Sequence, residues 1–221
     1  MKRIPSIDVV RGIVMVIMAL DHVRDLIHVT SITQSPTNLE TTTPLLFFTR
    51  WVTHICAPTF VFLAGTSVYL SSKKAGNRAL TRNFLLKRGV YLLFLEFAVV
   101  NFAIFFDPGF HILLFEVIAA IGFGFVVLGL LLRLSAATIG IMGLIIVFGH
   151  NLLSLLPLEG FPVIRTVLNF LFNQTAAPLS AGRVFVMAYP PIPWLGIMLV
   201  GFASGKFFEH PAPKRRRIFF K

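Results

Sequence analysis

Apolar residues run through the chain in six long stretches, each close to the roughly 20 residues that a helix needs to cross a bilayer. The stretches predict transmembrane helices at residues 8–28, 45–71, 88–106, 112–133, 136–156 and 184–208. Short segments rich in Pro, Gly, Asn or charged residues separate them, and none has room for a soluble domain. The pattern therefore predicts an all-α fold, a polytopic integral membrane helix bundle with about six transmembrane helices.

A shorter segment, residues 162–173, also has helical periodicity. Its apolar residues, among them Val163, Ile164 and Val167, share one face of the helix and lie opposite Arg165 and Asn169. The segment is typical either of a short helix in the membrane interface or of a loop packed on the protein.

Composition supports the membrane interpretation. The chain is 56% hydrophobic and only 13% charged, against about 25% charged residues in soluble domains, and its mean hydropathy is +0.83. A net charge of +11 would indicate nucleic-acid binding in a soluble protein. Here the basic residues lie in short loops between apolar runs, so the predicted partner is the lipid bilayer and no nucleic acid. The single cysteine, Cys56, excludes an internal disulfide.

The basic residues also predict the orientation, because cytoplasmic loops retain Lys and Arg. With a cytoplasmic N-terminus, 16 of the 20 basic residues lie inside and four outside. The outer four are Arg24, Arg50, Arg165 and Arg183. An even number of helices then returns the C-terminus to the cytoplasmic side.

Titratable residues gather at the predicted outer ends of the first two helices. A charge at bilayer depth costs about 2.5–3.5 kcal/mol and usually faces the protein interior or an aqueous cavity. Asp21, Asp25 and His28 lie within about 60° of one another around the first helix. The sequence thus predicts a shared polar cavity between the two helices. Its predicted residues are Asp21, His22, Asp25, Arg50 and His54. Arg24 and His28 lie in the same outer third of the first helix, where headgroup solvation also accounts for His28.

Polar residues of the later helices are open to two explanations. Several of them lie near outer helix ends: His111, Glu116, His150 and Arg183. Lipid headgroups can solvate a polar side chain there, so its presence is explained equally well by headgroup solvation and by a functional site. Glu96 lies inside the third predicted helix, where a structural hydrogen bond and a functional role are equally good explanations.

Pro58 predicts a local break in the second helix. It has no N–H to donate to the carbonyl of His54, and its ring pushes that carbonyl away. The helix should therefore bend just before Pro58, beside the His54 side chain.

Two motifs carry a resemblance to a known family. Residues 6–12 (SIDVVRG) resemble the Asp-x-x-Arg-Gly motif of heparan-α-glucosaminide N-acetyltransferase-like membrane proteins, and residues 58–65 (PTFVFLAG) resemble their Pro-x-Phe-x-Phe-x-x-Gly motif. Residues 21–25 (DHVRD) and 49–54 (TRWVTH) are similar to a bacterial branch of this group. The motifs cover about residues 6–70, and the remainder matches only as a pattern of helices.

The resemblance implies a membrane acyltransferase that moves an acetyl group from acetyl-CoA to a sugar amine or hydroxyl on the extracytoplasmic side. Asp21 matches a polar position late in helix one that serves the transfer in a relative, and His28 is the nearest match to its catalytic histidine. His22 and His54 belong to the bacterial branch and are rival candidates. The resemblance further implies a bacterial inner membrane location. Residues 1–221 would then form a single transmembrane domain, the N-terminal part of a longer acyltransferase-like protein.

The His and Asp residues of the first two helices are suited to the chemistry of acyl transfer. An amine or hydroxyl that attacks a thioester must lose a proton, and a neutral histidine is suited to accept it. A carboxylate on the other ring nitrogen fixes the tautomer. The predicted catalytic residues are His28, His22, His54, Asp21 and Asp25. The predicted substrate-binding residues are Arg50, Arg24, His150 and Arg183, and no metal site is predicted.

Alternatives remain at this stage. Asp and His in membrane helices also form proton relays, so a proton-coupled small-solute transporter is the rival function. Transporters usually contain internal repeats, and the sequence shows no clear repeat. The predicted partners are a CoA thioester and a carbohydrate-like acceptor, and a homo-oligomer is compatible with the sequence.

Overall fold

The computed structural model describes residues 4–27, 37–155 and 160–210. The candidate His28 and the side chain of Asp25 lie outside what is described, as does the basic segment 211–221. The chain divides into two compact units, Met1–Leu63 and Ala64–Lys221.

The first unit consists of helices from the N-terminal part of the chain. It contains α1 (Pro5–Ile27), α2 (Pro44–Thr53) and the beginning of α3 (Cys56–Ala75). The Thr43 hydroxyl caps α2 by accepting the N–H of Leu46 at 3.3 Å, and Pro44 occupies the first turn, where its missing N–H costs nothing. The helical run breaks between Thr53 and Cys56, as expected from Pro58.

One stripe of α1 is buried, through Ile7 and Val14. The Cys56 thiol donates to the carbonyl oxygen of Val14 at 3.7 Å, and Arg11 Nη2 donates to the carbonyl oxygen of Leu63 at 3.5 Å. The opposite face is apolar and exposed, with Val16 at 73%. Exposed apolar faces of this kind are suited to lipid contact rather than to water.

The described part of the second unit holds the remaining helices and three short strands. Its helices are α4 (Arg78–Phe94), α5 (Asn101–Phe105), α6 (Val117–Leu131), α7 (Ala136–Gly149), α8 (Pro162–Phe172) and α9 (Pro191–Ser204). A π-helical turn, Leu95–Val100, joins α4 to α5. Short 3-10 segments, His150–Leu155 and Gly205–Glu209, extend α7 and α9.

Within the described residues, four helical runs are long and apolar enough to cross a bilayer: Pro44–Ala75 (with its break after Thr53), Arg78–Phe105, Ala136–Leu153 and Pro191–Glu209. Helix α1 has 23 residues but carries five charged side chains, and α6 has 15 apolar residues. The predicted all-α polytopic membrane bundle is confirmed. The number of crossings remains a prediction, because α1 and α6 do not meet the same criteria.

A small sheet interrupts the helical pattern. It contains β1 (Ile112–Phe115), β2 (Thr175–Pro178) and β3 (Val184–Met187) in the order β1-β3-β2. Strand β3 pairs with β1 in parallel, Ile112 opposite Val184, and with β2 antiparallel, Thr175 opposite Met187.

The sheet and α4 correct three predicted helix starts. Residues 112–115 and 184–187 are strands, so the predicted helices 112–133 and 184–208 begin too early, since hydropathy alone does not distinguish a short apolar strand from a helix. The predicted helix 88–106 begins too late. Asn77 caps α4 at Arg78 by accepting the N–H groups of Ala79 and Leu80 at 2.9 and 3.2 Å, and the basic first turns belong to the helix.

Glycines allow the helices of the second unit to pack closely. A Cβ on Gly89 would lie 2.6 Å from the carbonyl oxygen of Gly122 on α6, and one on Gly143 would lie 2.8 Å from that of Gly196 on α9. Side chains at these positions would push the backbones apart. Close helix packing through small residues is the usual way that helices associate in lipid.

Glu96 has a structural partner inside this unit. It is fully buried in the π-helical turn, and its Oε2 accepts the N–H of Ala119 in the first turn of α6 at 3.0 Å. Asn101, also buried, ties the same turn to β1: its side chain donates to the carbonyl oxygens of Glu96 and Leu114 and accepts the N–H of Leu114. These bonds support the structural explanation of Glu96, although its Oε1 has no hydrogen-bond partner among the described residues.

Candidate functional site

The carboxylate of Asp21, late in α1, is the centre of a polar network in the first unit. It forms an ion pair with Arg24 one turn further along α1. Arg50 of α2 binds both of its oxygens, at 3.2 and 3.1 Å, and the Thr53 hydroxyl donates to Oδ1 at 2.5 Å. Two residues one turn apart on α1 thus meet two residues one turn apart on α2.

The network is partly enclosed. Arg24 is only 7% exposed, and its Nη1 also donates to the Thr53 hydroxyl at 3.4 Å. The Arg50 side chain is 35% exposed and that of Asp21 20%. Of the two guanidinium groups that bind Asp21, that of Arg50 is the more accessible, so it is the group able to bind a further anion.

The histidines of this unit lie outside the network. His22 and His54 are exposed, and each follows a network residue, Asp21 or Thr53, by one position. One position on a helix is a turn of about 100°, so the rings point away from the face that carries the network. Within the described residues, neither ring forms a hydrogen bond or ion pair. Of the predicted set the structure therefore brings together Asp21, Arg24 and Arg50.

Two further candidates belong to the second unit. His150 ends α7, and its Nδ1 lies 3.0 Å from the carbonyl oxygen of Val147 and 3.2 Å from that of Ile146. Arg183 is exposed directly before β3, and its carbonyl oxygen accepts the N–H of Leu179 at 2.7 Å. In the described part of this unit, no hydrogen bond links the two side chains.

A carboxylate–histidine pair that the sequence analysis did not single out lies in the loop after α5. Asp107 Oδ2 is 2.8 Å from Nδ1 of His111. Backbone N–H groups of His111 and Gly109 also donate to the carboxylate, at 2.7 and 2.8 Å, and hold the pKa of Asp107 below its usual value. The spacing of four residues between Asp107 and His111 is the signal that the sequence offers, but Pro108 and Gly109 between them are typical of an ordinary turn.

The sequence was compared with models of known protein families. The sequence model of the family "Heparan-alpha-glucosaminide N-acetyltransferase, catalytic" matches residues 3–220, almost the whole chain. The chain belongs to this family. No curated protein and no solved structure matches it. Membership confirms the resemblance drawn from the two motifs and points to a membrane acetyltransferase, whereas the bacterial branch remains a prediction.

The structure explains what two motif residues of this acetyltransferase family member do. The side chain of Arg11, in the first motif, donates to the carbonyl oxygen of Leu63, in the second. Gly65, the last residue of the second motif, lies so close to α9 that a Cβ would be 2.0 Å from the carbonyl oxygen of Met198. These motif residues therefore have packing roles, and the polar network around Asp21 is a separate feature.

Proposed function

We propose that this protein transfers an acetyl group from acetyl-CoA to the amine or hydroxyl of a sugar on the extracytoplasmic side of the membrane. The family match supports acetyl transfer over the proton-coupled small-solute transporter. We place the active site at the Asp21 network, because this network is a partly enclosed set of charges at the end of a proposed membrane helix.

The network suits the anionic donor. CoA carries phosphate groups, and a guanidinium binds phosphate through two parallel hydrogen bonds. Arg50 has the exposed surface for such a contact, since its side chain is 35% exposed. Arg24 is buried and holds Asp21, so its role is positioning.

Asp21 is better suited to orienting than to proton transfer. Its two oxygens already accept hydrogen bonds from Arg24, Arg50 and Thr53. Groups that bind the charged carboxylate weaken it as a base. A histidine must then take the acceptor proton, and from the sequence motifs His22, His28 and His54 remain proposed candidates, with Asp25 as a carboxylate partner.

The proposal can be tested by incubating the purified protein in detergent with labelled acetyl-CoA and a panel of amino sugars. We expect the natural sequence to transfer the labelled acetyl group to at least one of these sugars. Arg50→Gln should raise KM for acetyl-CoA about tenfold or more, because a lost charged hydrogen bond costs about 1.5–3 kcal/mol.

Arg165→Gln is the matched control for this change, since Arg165 is an exposed arginine on α8. Its KM should equal that of the unchanged protein. Absence of transfer to every acceptor would refute the function, and an unchanged KM in Arg50→Gln would refute the donor site.

The proposed orientation places the N-terminus and the junction between α3 and α4 in the cytoplasm. A cysteine at Lys74, exposed in the last turn of α3, should resist a membrane-impermeant thiol reagent in intact cells. A cysteine at Ser180, exposed before β3, should react. The native Cys56 is 3% exposed and contributes little background. Reaction at position 74 with protection at position 180 would reverse the orientation.

A further inference from the structure

The helical run that begins with α4 is longer than the hydrocarbon core of a bilayer. Arg78–Phe105 contains 28 residues, which at 1.5 Å per residue span about 42 Å, against a core thickness of about 30 Å. One end must therefore extend into the headgroup region. Residues 89–105 contain a single charged residue, Glu96, and it is buried. Residues 78–88 contain four basic residues and no acid, so this is the end that extends.

Lys87 and Arg88 lie where the basic part of the helix meets the apolar part. The excess length of about 12 Å corresponds to roughly eight residues, which places both at the level where headgroups meet acyl chains. Both side chains are exposed. The guanidinium carbon of Arg88 lies 5.8 Å from the centroid of the Phe84 ring, so the ring attracts the charge and holds it on the exposed surface of the helix.

An apolar groove runs along this exposed face of α4. It is lined by Leu86, Lys87, Val90, Tyr91 and Phe94. Lys87, Tyr91 and Phe94 are separated by four and three residues and therefore share one face of the helix. Phe94 lies about 10 Å further along the helix than Lys87, toward the bilayer centre. The groove thus has a cation at its outer end and apolar walls further in, which matches a phospholipid with its headgroup outside its acyl chains.

The positive charge at this end of α4 is not neutralised by the protein. In the part of the chain that the structure describes, neither Lys87 nor Arg88 forms an ion pair. A further cation lies on the neighbouring helix. A Cβ on Gly129 of α6 would lie 3.4 Å from Cβ of Leu85 on α4, so Arg133, exposed just after the end of α6, lies toward the same end of the unit. The surface therefore attracts an anion.

We propose that this face of α4 binds an anionic glycerophospholipid of the surrounding bilayer. The lipid phosphate lies between Lys87 and Arg88, and one acyl chain occupies the groove beside Val90 and Phe94. Arginine binds phosphate oxygens through parallel N–H donors, and lysine binds them as a point charge. A zwitterionic lipid carries a cationic amine that these side chains repel, so the site favours a lipid with net negative charge. The site goes beyond the proposed acetyl transfer and does not depend on it.

Native mass spectrometry of the purified protein in detergent can test the site. The protein is titrated separately with phosphatidylglycerol and with phosphatidylcholine of identical acyl chains, and the Kd of the first bound lipid is measured. Phosphatidylglycerol should bind at least about tenfold more tightly. Lys87→Gln combined with Arg88→Gln should weaken its binding about 10- to 30-fold, because each basic residue near an anionic lipid contributes roughly fivefold. Binding of phosphatidylcholine should change by less than about twofold.

Arg165→Gln combined with Lys206→Gln is the matched control. It also removes one arginine and one lysine, both exposed, from other elements of the same unit. This variant should bind phosphatidylglycerol as tightly as the unchanged protein does. Equal Kd values for the two lipids in the unchanged protein, or equal losses in the two double variants, would refute the site and leave only a general attraction between a basic protein and anionic lipid.

Two further measurements distinguish the lipid from other occupants of this face. Inorganic phosphate at millimolar concentration should not displace phosphatidylglycerol, because it makes no contact with the groove; displacement would overturn the lipid assignment. Phe94→Ala, which shortens a wall of the groove, should weaken both lipids by a similar factor of about three or more. A dimer that forms without lipid and is lost in the Lys87 and Arg88 variant would assign the face to a second copy of the chain and would also overturn the proposal.

Discussion

Replacing Asp21 with alanine should lower the free energy of unfolding by about 3 kcal/mol, because it removes the carboxylate of a buried ion pair. Asp21 is the shared acceptor of Arg24, Arg50 and Thr53, and Arg24 is 7% exposed. Without the carboxylate, two guanidinium groups on adjacent helices face each other. Unfolding of the purified protein by SDS titration in mixed micelles measures the change.

The size of the effect should depend on burial. Arg50→Met removes a partner that is 35% exposed, so we expect a loss of about 1 kcal/mol or less. Glu40→Ala is the matched control, since Glu40 is an exposed acid of the same unit, and its stability should be unchanged. Equal stability of Asp21→Ala and Glu40→Ala would show that the network does not stabilise the fold.

Gly65→Ala should destabilise the second unit by about 3 kcal/mol, at the upper end of what added volume costs in a packed core. The new Cβ would lie 2.0 Å from the carbonyl oxygen of Met198 and 2.8 Å from the backbone nitrogen of Phe202. Both neighbours are backbone atoms, so no rotamer change relieves the clash and α3 must move away from α9. That movement would also break the bond from the Thr66 hydroxyl to the carbonyl oxygen of Gly201, at 2.9 Å.

Gly12→Ala provides the matched control. Gly12 lies inside α1, and among the described residues no atom outside its own stretch of helix comes within 4 Å of the place that a Cβ would occupy, so alanine meets open space. Alanine is favoured over glycine in a helix interior by about 0.5–1 kcal/mol, and this variant should be as stable as the natural sequence or more so. The same SDS titration compares the two variants, and a Gly65→Ala protein as stable as Gly12→Ala would refute close packing of α3 against α9.

The sequence alone determined the class of fold and the family. Transfer of a helix into lipid depends on the summed hydropathy of consecutive residues, so stretches such as 45–71 and 136–156 show a membrane helix without any knowledge of neighbours. The motif residues Asp8, Arg11 and Gly65 were likewise sufficient for the family. Both kinds of information are local, and the structure and the family match agree with them.

Only the tertiary structure decided which polar residues meet. Arg24 and Arg50, predicted to bind substrate, share Asp21 across two helices, and His22 and His54 turn away from it by one helix position. Helical spacing showed that several charges share a face, but the partner across the helix contact depends on packing that no single helix encodes.

The strands and the His111 pair depended on contacts between distant parts of the chain or on unusual backbone conformations. Strand β1 exists because Ile112 pairs with Val184, far along the chain, and an apolar run alone is compatible with helix or strand. Asp107 and His111 are four residues apart, but they meet in a loop with left-handed phenylalanines, not on a helix. Hydropathy and residue spacing predict neither a distant strand partner nor a left-handed turn. Both features depend on the free energy of the whole packed fold.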